Sequence, residues 1–305
     1  MNNICKTRLK LVVCAALLSV SLAVSADPLI AAHRGGTGDG PENTIPTLQN
    51  SLRHGADILW MTVQVSSDGV PVLYRPADVS ALTDGKGLVN TLTAAQLTAL
   101  NAGHMYSATD ASGNKDYPYR RQPVKVPTLR DALRAVPASV PIMIDMKQLP
   151  AEVLVDAVAK VIEEEGAWQR VRFYSTDADV IALMAKRPKA QVFESRDATR
   201  DRLARIALNG GACDTPPAAG TWSGIELERK VSVVEKFTLG EGVSEVVAHW
   251  WTPAAMQCFR RNPGTRVMVF GVDSAEAYRS ARQLGVDVVM TDSPLKMKAL
   301  REAAR

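Results

Sequence analysis

The sequence predicts an α/β chain that folds as a TIM (β/α)8 barrel. Short apolar runs of strand length alternate with longer segments in which apolar residues have helical spacing, which is typical of a parallel sheet. The alternation recurs along a chain of 305 residues, and no linker divides it. A doubly wound open sheet is the alternative fold, but no GxGxxG motif follows an early strand, which argues against its dinucleotide-binding version.

The individual elements follow from the same pattern. The segment 151–166 shows how the helices are assigned, because an acidic residue stands in its first turn and a glycine ends it. The predicted strands are residues 29–32, 58–65, 70–74, 142–146, 171–174, 190–193, 243–248, 267–270 and 286–290. The predicted helices lie within residues 44–55, 127–136, 151–166, 178–187, 253–261 and 274–285.

Residues 1–26 are predicted to be a signal peptide, and residues 27–305 the barrel domain. Three basic residues precede an apolar run that ends in Val24-Ser25-Ala26, which fits a small-residue cleavage site. The run is short for a membrane span, so we expect a secreted or periplasmic protein with no stable membrane anchor. An uncleaved anchor is the alternative.

Removal of the signal peptide changes both the charge and the cysteine content. Its three basic residues account for most of the net charge, which falls from +4 to +1. A nucleic-acid partner is therefore not expected, and any recognition of an anion must be local. Cys213 and Cys258 remain, and in an oxidising compartment a disulfide and two free thiols are both open. The sequence does not specify an oligomeric state.

Polar residues follow several predicted strands at the end where TIM barrels carry their active sites. His33 and Arg34 follow the first strand in a glycine-rich turn, and Arg75 ends the strand VPVLYR. Asp145 and Lys147 end the strand IMIDMK two positions apart, so both side chains point to the same side. We expect these residues to gather at one mouth with the segment TDSP at 291–294, and their charges suit an anionic substrate.

Each of these residues also has a structural interpretation. Glu42 lies before a predicted helix, where a carboxylate suits the helix dipole. Asp145 and Lys147 form an ion pair at a strand end in that interpretation, and Arg75 is a solvated loop residue. A histidine after a strand is often structural, although the arginine and glycines beside His33 favour a functional role.

The chain resembles the glycerophosphodiester phosphodiesterase family from His33 almost to Pro294. The matching motifs are HRGG, PENT, GAD, DGVPVLY, TDGKG, VPTLRDAL, IMIDMK and GVDVVMTDSP, in that order. The resemblance implies a TIM barrel that hydrolyses glycerophosphodiesters to glycerol 3-phosphate and an alcohol, usually with a divalent metal. In that family two histidines transfer protons, carboxylates hold the metal, and Arg and Lys assist the phosphate.

The sequence departs from the family at the metal site. Where the family has Glu-x-Asp after GAD, this chain has Trp60 and Thr62, and where the family has His-Asp it has Arg75-Pro76. The third carboxylate, usually Glu, is Asp145. A hard cation such as Ca²⁺ requires six or more oxygen ligands, so the only remaining metal candidate, Asp145, is expected to be insufficient even with Glu42.

The resemblance and the departures together define the expected site. We expect no cofactor, with a divalent cation (Ca²⁺ or Mg²⁺) as the less favoured alternative. One hypothesis is metal-independent hydrolysis of a small phosphodiester or phospholipid headgroup, with His33 as the base and Arg75 in place of the metal charge. The other is a non-catalytic periplasmic binding or scaffold protein that keeps the barrel mouth. The expected residues are His33 and Arg75 for catalysis, and Arg34, Glu42, Trp60 and Lys147 for substrate binding.

Overall fold

The computed structural model describes residues 27–109 and 112–303, and the predicted signal peptide lies outside these residues. Numbered in chain order, the barrel strands are β1 Leu29–Ala32, β2 Ile58–Val65, β3 Ile142–Met146, β4 Val171–Tyr174, β5 Gln191–Val192, β6 Trp222–Glu226, β7 Arg266–Phe270 and β8 Val288–Thr291. These parallel strands form a barrel in the order β5-β4-β3-β2-β1-β8-β7-β6, and a parallel bridge from Phe193 to Trp222 joins β5 to β6 and closes it. The fold is therefore the predicted TIM barrel.

Helices surround the barrel and bury their apolar faces against the outer side of the strands. In the helix Ala151–Glu164, for example, Leu154, Val155, Val158 and Ile162 are buried, with the spacing of one helix face. The α-helices of the described residues are Ile45–Arg53, Ala94–Ala99, Pro118–Arg121, Leu129–Ala135, Ala151–Glu164, Ala178–Ala185, Arg196–Leu208, Pro253–Phe259, Ala275–Leu284 and Pro294–Ala303.

The barrel interior is filled by large side chains rather than left as a channel. Alternate residues of each strand point inward, and on β2 these are Ile58, Trp60 and Thr62, all buried. Trp60 packs against Tyr174 and Phe270, with ring centroids 5.0 and 5.4 Å apart. The apolar packing closes the barrel below the level of Thr62, so polar chemistry is confined to the carboxyl ends of the strands.

Two of the predicted strands form but lie outside the barrel, and one barrel strand was not predicted. The predicted strand 70–74 is the shorter Pro71–Leu73, and it pairs antiparallel with β2 instead of entering the barrel. The predicted strand 243–248 belongs to an exposed antiparallel hairpin, Glu228–Phe237 and Gly240–His249, so its valines do not indicate a buried strand. Barrel strand β6 was not predicted, because its sequence WSGIE contains no apolar run.

Cys213 and Cys258 form a disulfide, with their Cα atoms 5.4 Å apart. It joins the loop after the helix Arg196–Leu208 to the helix Pro253–Phe259, which packs beneath β6 and β7 in the second half of the barrel. Of the two states left open by the sequence, the structure has the disulfide. No helix in the described part of the chain combines the length and the apolar character needed to cross a bilayer.

Candidate functional site

His33 forms a dyad with Asp292 at the barrel mouth. Strands β1 and β8 are parallel neighbours in which Ala32 lies beside Thr291, so the residues that follow them, His33 and Asp292, are adjacent. The Nδ1 atom of His33 lies 2.6 Å from Oδ1 of Asp292. This contact lowers the pKa of Asp292 from its usual value, so the carboxyl is ionised at neutral pH. The backbone N–H of Asp292 donates to the carboxylate of Asp273, and this hydrogen bond holds Asp292 in place.

The glycine-rich turn after β1 holds Arg34 in a left-handed conformation, with φ 49°. A non-glycine residue rarely adopts this conformation, and such strain is concentrated at functional sites. Gly36 is required nearby, because its φ is 97° and a Cβ atom there would lie 2.6 Å from the Ser51 hydroxyl. The turn directs Arg34 to Glu42, whose Oε2 accepts from Nη1 at 2.7 Å.

A row of interior side chains crosses β2, β3 and β4 at the level of the mouth. The strand register sets Thr62 beside Asp145, and Asp145 beside Tyr174. Burial raises the pKa of the Asp145 carboxyl, while the Lys147 ammonium, with Nζ at 3.3 Å from Oδ1, acts in the opposite direction. Lys147 also donates to the hydroxyl of Thr176 at 2.9 Å. The predicted same-side geometry of Asp145 and Lys147 is thus confirmed.

Tyr174 connects this row to two residues that the sequence did not suggest. Its hydroxyl oxygen accepts from Arg196 at 3.2 Å, and Arg196 also donates to the carboxylate of Glu226. Burial raises the pKa of Tyr174 to about 12, so the hydroxyl keeps its proton at neutral pH. Among the described residues no acceptor for that proton is present.

Arg75 lies at the mouth although its strand is not part of the barrel. Its side chain is exposed, and no carboxylate of the described residues forms an ion pair with it. Tyr74, in contrast, is buried and donates to the carbonyl of Val79 at 2.9 Å. The side chains of Tyr74 and Arg75 therefore point to opposite sides, as is usual for consecutive residues of an extended chain.

A cavity of about 300 Å³ connects these groups. The structure brings five of the six expected catalytic and binding residues to its lining, together with Asp145, and the sixth, Glu42, reaches the site through Arg34. Sequence reasoning missed Tyr174, Thr176, Arg196 and Glu226. Two of these come from a helix and a barrel strand that the pattern did not reveal. The cavity is lined by His33, Arg34, Trp60, Arg75, Asp145, Lys147, Tyr174, Thr176, Arg196, Glu226, Phe270, Gly271, Met290 and Asp292.

Several buried polar atoms around this cavity have no hydrogen-bond partner in the described chain. Three of them are donors, namely Arg34 Nε, Asn43 Nδ2 and Trp60 Nε1. Buried polar groups are almost always satisfied, and each exception requires an explanation. The Trp60 indole is only 2% exposed, so its ring offers little surface on which a ligand could stack.

The side chains present do not fit the divalent metal that the family resemblance implies. The described residues contain no group of three or more His, Cys, Asp or Glu side chains that could hold a metal ion. One oxygen of Glu42 is bound by Arg34, and Oδ1 of Asp145 forms an ion pair with the Lys147 ammonium. The Trp60 indole, packed among aromatic rings, occupies the position of a family ligand. Two partly neutralised carboxylates fall short of the oxygen ligands that Ca²⁺ requires.

Comparison with known proteins gives a match to the model of the glycerophosphoryl diester phosphodiesterase family over residues 33–296. An uncharacterised protein of Mycobacterium tuberculosis, Rv2277c, is 46% identical over 288 residues, which cover 94% of each chain. The crystal structure of the glycerophosphoryl diester phosphodiesterase domain of that protein superposes with a TM-score of 0.83, covering 90% of this chain and 99% of the other.

Two more distant relatives have names that state an activity. Human glycerophosphodiester phosphodiesterase 1 is 36% identical over 102 residues, or 33% of this chain and 28% of the human protein. A phosphodiesterase of Oleispira antarctica, solved with the product sn-glycerol-3-phosphate, has a TM-score of 0.64 at 19% identity, covering 90% of this chain and 97% of the other. At that identity the second likeness supports the fold alone.

Proposed function

The chain is a member of the glycerophosphoryl diester phosphodiesterase family, and from this premise we propose that it is an exported protein that hydrolyses small phosphodiesters without a bound metal. The substrates are those in which a phosphate joins glycerol or a lipid headgroup to an alcohol. The observation that carries the proposal is the His33–Asp292 dyad at a mouth where Arg75 is a cation without an ion-pair partner in the described chain.

Charge and hydrogen bonding at the mouth support recognition of a phosphodiester. A guanidinium binds phosphate oxygens through two hydrogen bonds and does not deprotonate, so the free Arg75 replaces the positive charge that a metal supplies in the family. Arg34 and Lys147 line the same cavity and are further cationic donors for the remaining oxygens. The cavity of about 300 Å³ accommodates a small headgroup.

The proposed reaction uses His33 as the base and Tyr174 as the acid. Asp292 binds Nδ1 of His33, so Nε2 accepts a proton from the attacking water while the water oxygen bonds to phosphorus. The bond from phosphorus to the leaving alcohol breaks, and the alcohol oxygen takes the hydroxyl proton of Tyr174. A tyrosine with a pKa of about 12 is a stronger acid than an ordinary alcohol, so this transfer is favourable. The imidazolium is then stabilised by Asp292.

Two features support the export that this proposal includes. The N-terminal 26 residues have the basic and apolar parts of a signal peptide. Cys213 and Cys258 form a disulfide, and disulfides persist mainly in oxidising compartments. Both features fit a secreted or periplasmic protein.

We expect purified protein to hydrolyse glycerophosphocholine or an activated aryl phosphodiester equally in EDTA and in Ca²⁺ or Mg²⁺. Arg75→Ala should lower kcat by about 10²–10³-fold, because it removes a charged donor to the phosphoryl oxygens. Arg75→Lys is the matched control. Its kcat should fall less than that of Arg75→Ala, because lysine keeps the positive charge although it cannot form the two parallel hydrogen bonds of a guanidinium. Stimulation by either metal, or full activity of Arg75→Ala, would overturn the metal-independent mechanism.

Tyr174→Phe tests the proposed acid through the leaving group. This variant should lose about 10²–10⁴-fold in kcat on glycerophosphocholine, whose choline alkoxide needs a proton to leave. It should retain most of its activity on an aryl phosphodiester, because a phenolate leaves without one. Equal losses on the two substrates would show that Tyr174 does not donate this proton.

A non-catalytic binding protein is the second candidate function. It is favoured by the presence of a single histidine, His33, among the residues that line the described mouth, whereas the family uses two for proton transfer. In that case neither substrate is turned over, but glycerophosphocholine binds, and calorimetry shows that Lys147→Ala abolishes the binding. Turnover of either substrate would exclude this candidate.

A further inference from the structure

A long hairpin follows β6 on the mouth side of the barrel, and in the described chain its two strands pair only with each other. Its strands, Glu228–Phe237 and Gly240–His249, follow directly after β6 and pair with each other over ten residue pairs. Within the described chain neither strand pairs with the barrel sheet, and nearly every side chain of the hairpin is exposed. An isolated two-stranded hairpin is marginally stable in water, so this one is a candidate for a partner.

The hairpin has the features of a surface that another strand covers. Leu239 at the turn is 100% exposed, and Phe237 and Val243 are each 62% exposed. Both outer edges carry unpaired backbone groups, which are a template for pairing with a further strand. We propose that the Glu228–Phe237 edge pairs antiparallel with the same edge of a second copy of this chain, about a two-fold axis at Ser232, to form a four-stranded sheet.

Charge complementarity identifies the second copy as the occupant. Arg229, Glu235 and Lys236 form no ion pair within the described chain. Arg229 and Glu235 are on the same strand six residues apart, which is about 20 Å, so they do not meet within one molecule. When two edges pair about Ser232, Arg229 lies opposite Glu235 of the second copy and Glu228 lies opposite Lys236. The two-fold axis repeats both contacts.

Other pairings are less favourable. An axis moved to Val233 would set Lys230 opposite Lys236 of the second copy, and like charges directly opposite destabilise a sheet. The Gly240–His249 edge carries Glu241 and Glu245 but no Lys or Arg, so it repels a copy of itself. Only the axis at Ser232 combines both kinds of ion pair with a contact between Val231 and Val233, which share one face of the sheet.

Charge reversal tests the proposal by light scattering after size exclusion. The wild-type protein should have the mass of a dimer, and Arg229→Glu and Glu235→Arg should each halve that mass, since each opposes like charges. The two single variants should form a mixed dimer when combined, because the carboxylate introduced in one then faces the guanidinium introduced in the other. The double variant should also be a dimer.

The matched control is Glu241→Gln, which lies on the other edge of the hairpin and should remain dimeric. Thermal melts establish that each monomeric variant is folded. A monomeric wild type, single variants that stay dimeric, or single variants that fail to associate when mixed would each overturn the proposal. None of these outcomes depends on whether the barrel mouth is catalytic.

Discussion

Replacing His33 with alanine is expected to lower the turnover of phosphodiesters by about 10²–10⁴-fold, the usual contribution of a general base. In the proposed mechanism His33 acts as the base, because Asp292 binds its Nδ1 atom at 2.6 Å and leaves Nε2 to accept the proton of the nucleophile. No other histidine lines the described mouth to take over this role. The measurement is kcat on an aryl phosphodiester in EDTA, which excludes a contribution from contaminating metal.

Two further variants test whether the loss of activity in His33→Ala is specific to the His33–Asp292 dyad. His54→Ala is the matched control, because His54 lies outside the mouth lining and, among the described residues, its only ionic contact is Asp39 at 3.8 Å. It should leave the rate unchanged. Asp292→Asn should lower kcat while KM stays close to its original value, because the carboxylate orients the imidazole and does not need to contact the substrate. Full activity of His33→Ala would remove the dyad from the mechanism.

Replacing Trp60 with alanine is expected to lower the free energy of unfolding by about 3–5 kcal/mol, the cost of truncating a buried aromatic side chain. Trp60 is only 2% exposed, and Tyr174, Phe193 and Phe270 surround its ring. The cavity left by the indole cannot collapse easily, because the barrel strands are fixed by their hydrogen bonds. Urea unfolding followed by circular dichroism measures the change.

Trp60→Phe is the matched variant that separates packing from hydrogen bonding. It keeps an aromatic ring in the cluster but removes the Nε1–H group, which has no partner in the described chain. We expect a smaller loss of stability than in Trp60→Ala, because an aromatic ring remains in the cluster and the lost N–H group has no hydrogen bond to break. A protein that tolerates Trp60→Ala without loss of stability would show that the indole does not fill the barrel as described.

The sequence predicted the first four barrel strands at or near their observed bounds because these strands are buried on both faces. Strands β1 and β2 are continuous apolar runs except at Thr62 and Gln64, and residues 142–146 and 171–174 were also correctly bounded. The carboxyl ends of these predicted strands then indicated most of the site residues, since residues that follow parallel strands meet at one end of a barrel. His33, Arg34, Asp145 and Lys147 were found in this way.

The elements that were missed lack an apolar signal for physical reasons. Strand β6 contains Gly224, where a Cβ atom would lie 2.9 Å from the Phe270 ring, so the small residue is required by close packing. The helix Arg196–Leu208 buries only Thr199, Leu203 and Ile206, too few for a clear amphipathic pattern. Glu226 and Arg196 belong to these two elements, and they were missed for that reason.

Barrel closure has a consequence for when the protein acquires its chemistry. The imidazole of His33 and the carboxylate that orients it stand 259 positions apart in the chain, and they meet only after β8 has docked beside β1. A polypeptide whose C-terminal part has not yet folded, or has been lost, carries this imidazole without its orienting carboxylate. Under the proposed mechanism, hydrolysis of phosphodiesters therefore begins only when the barrel is complete.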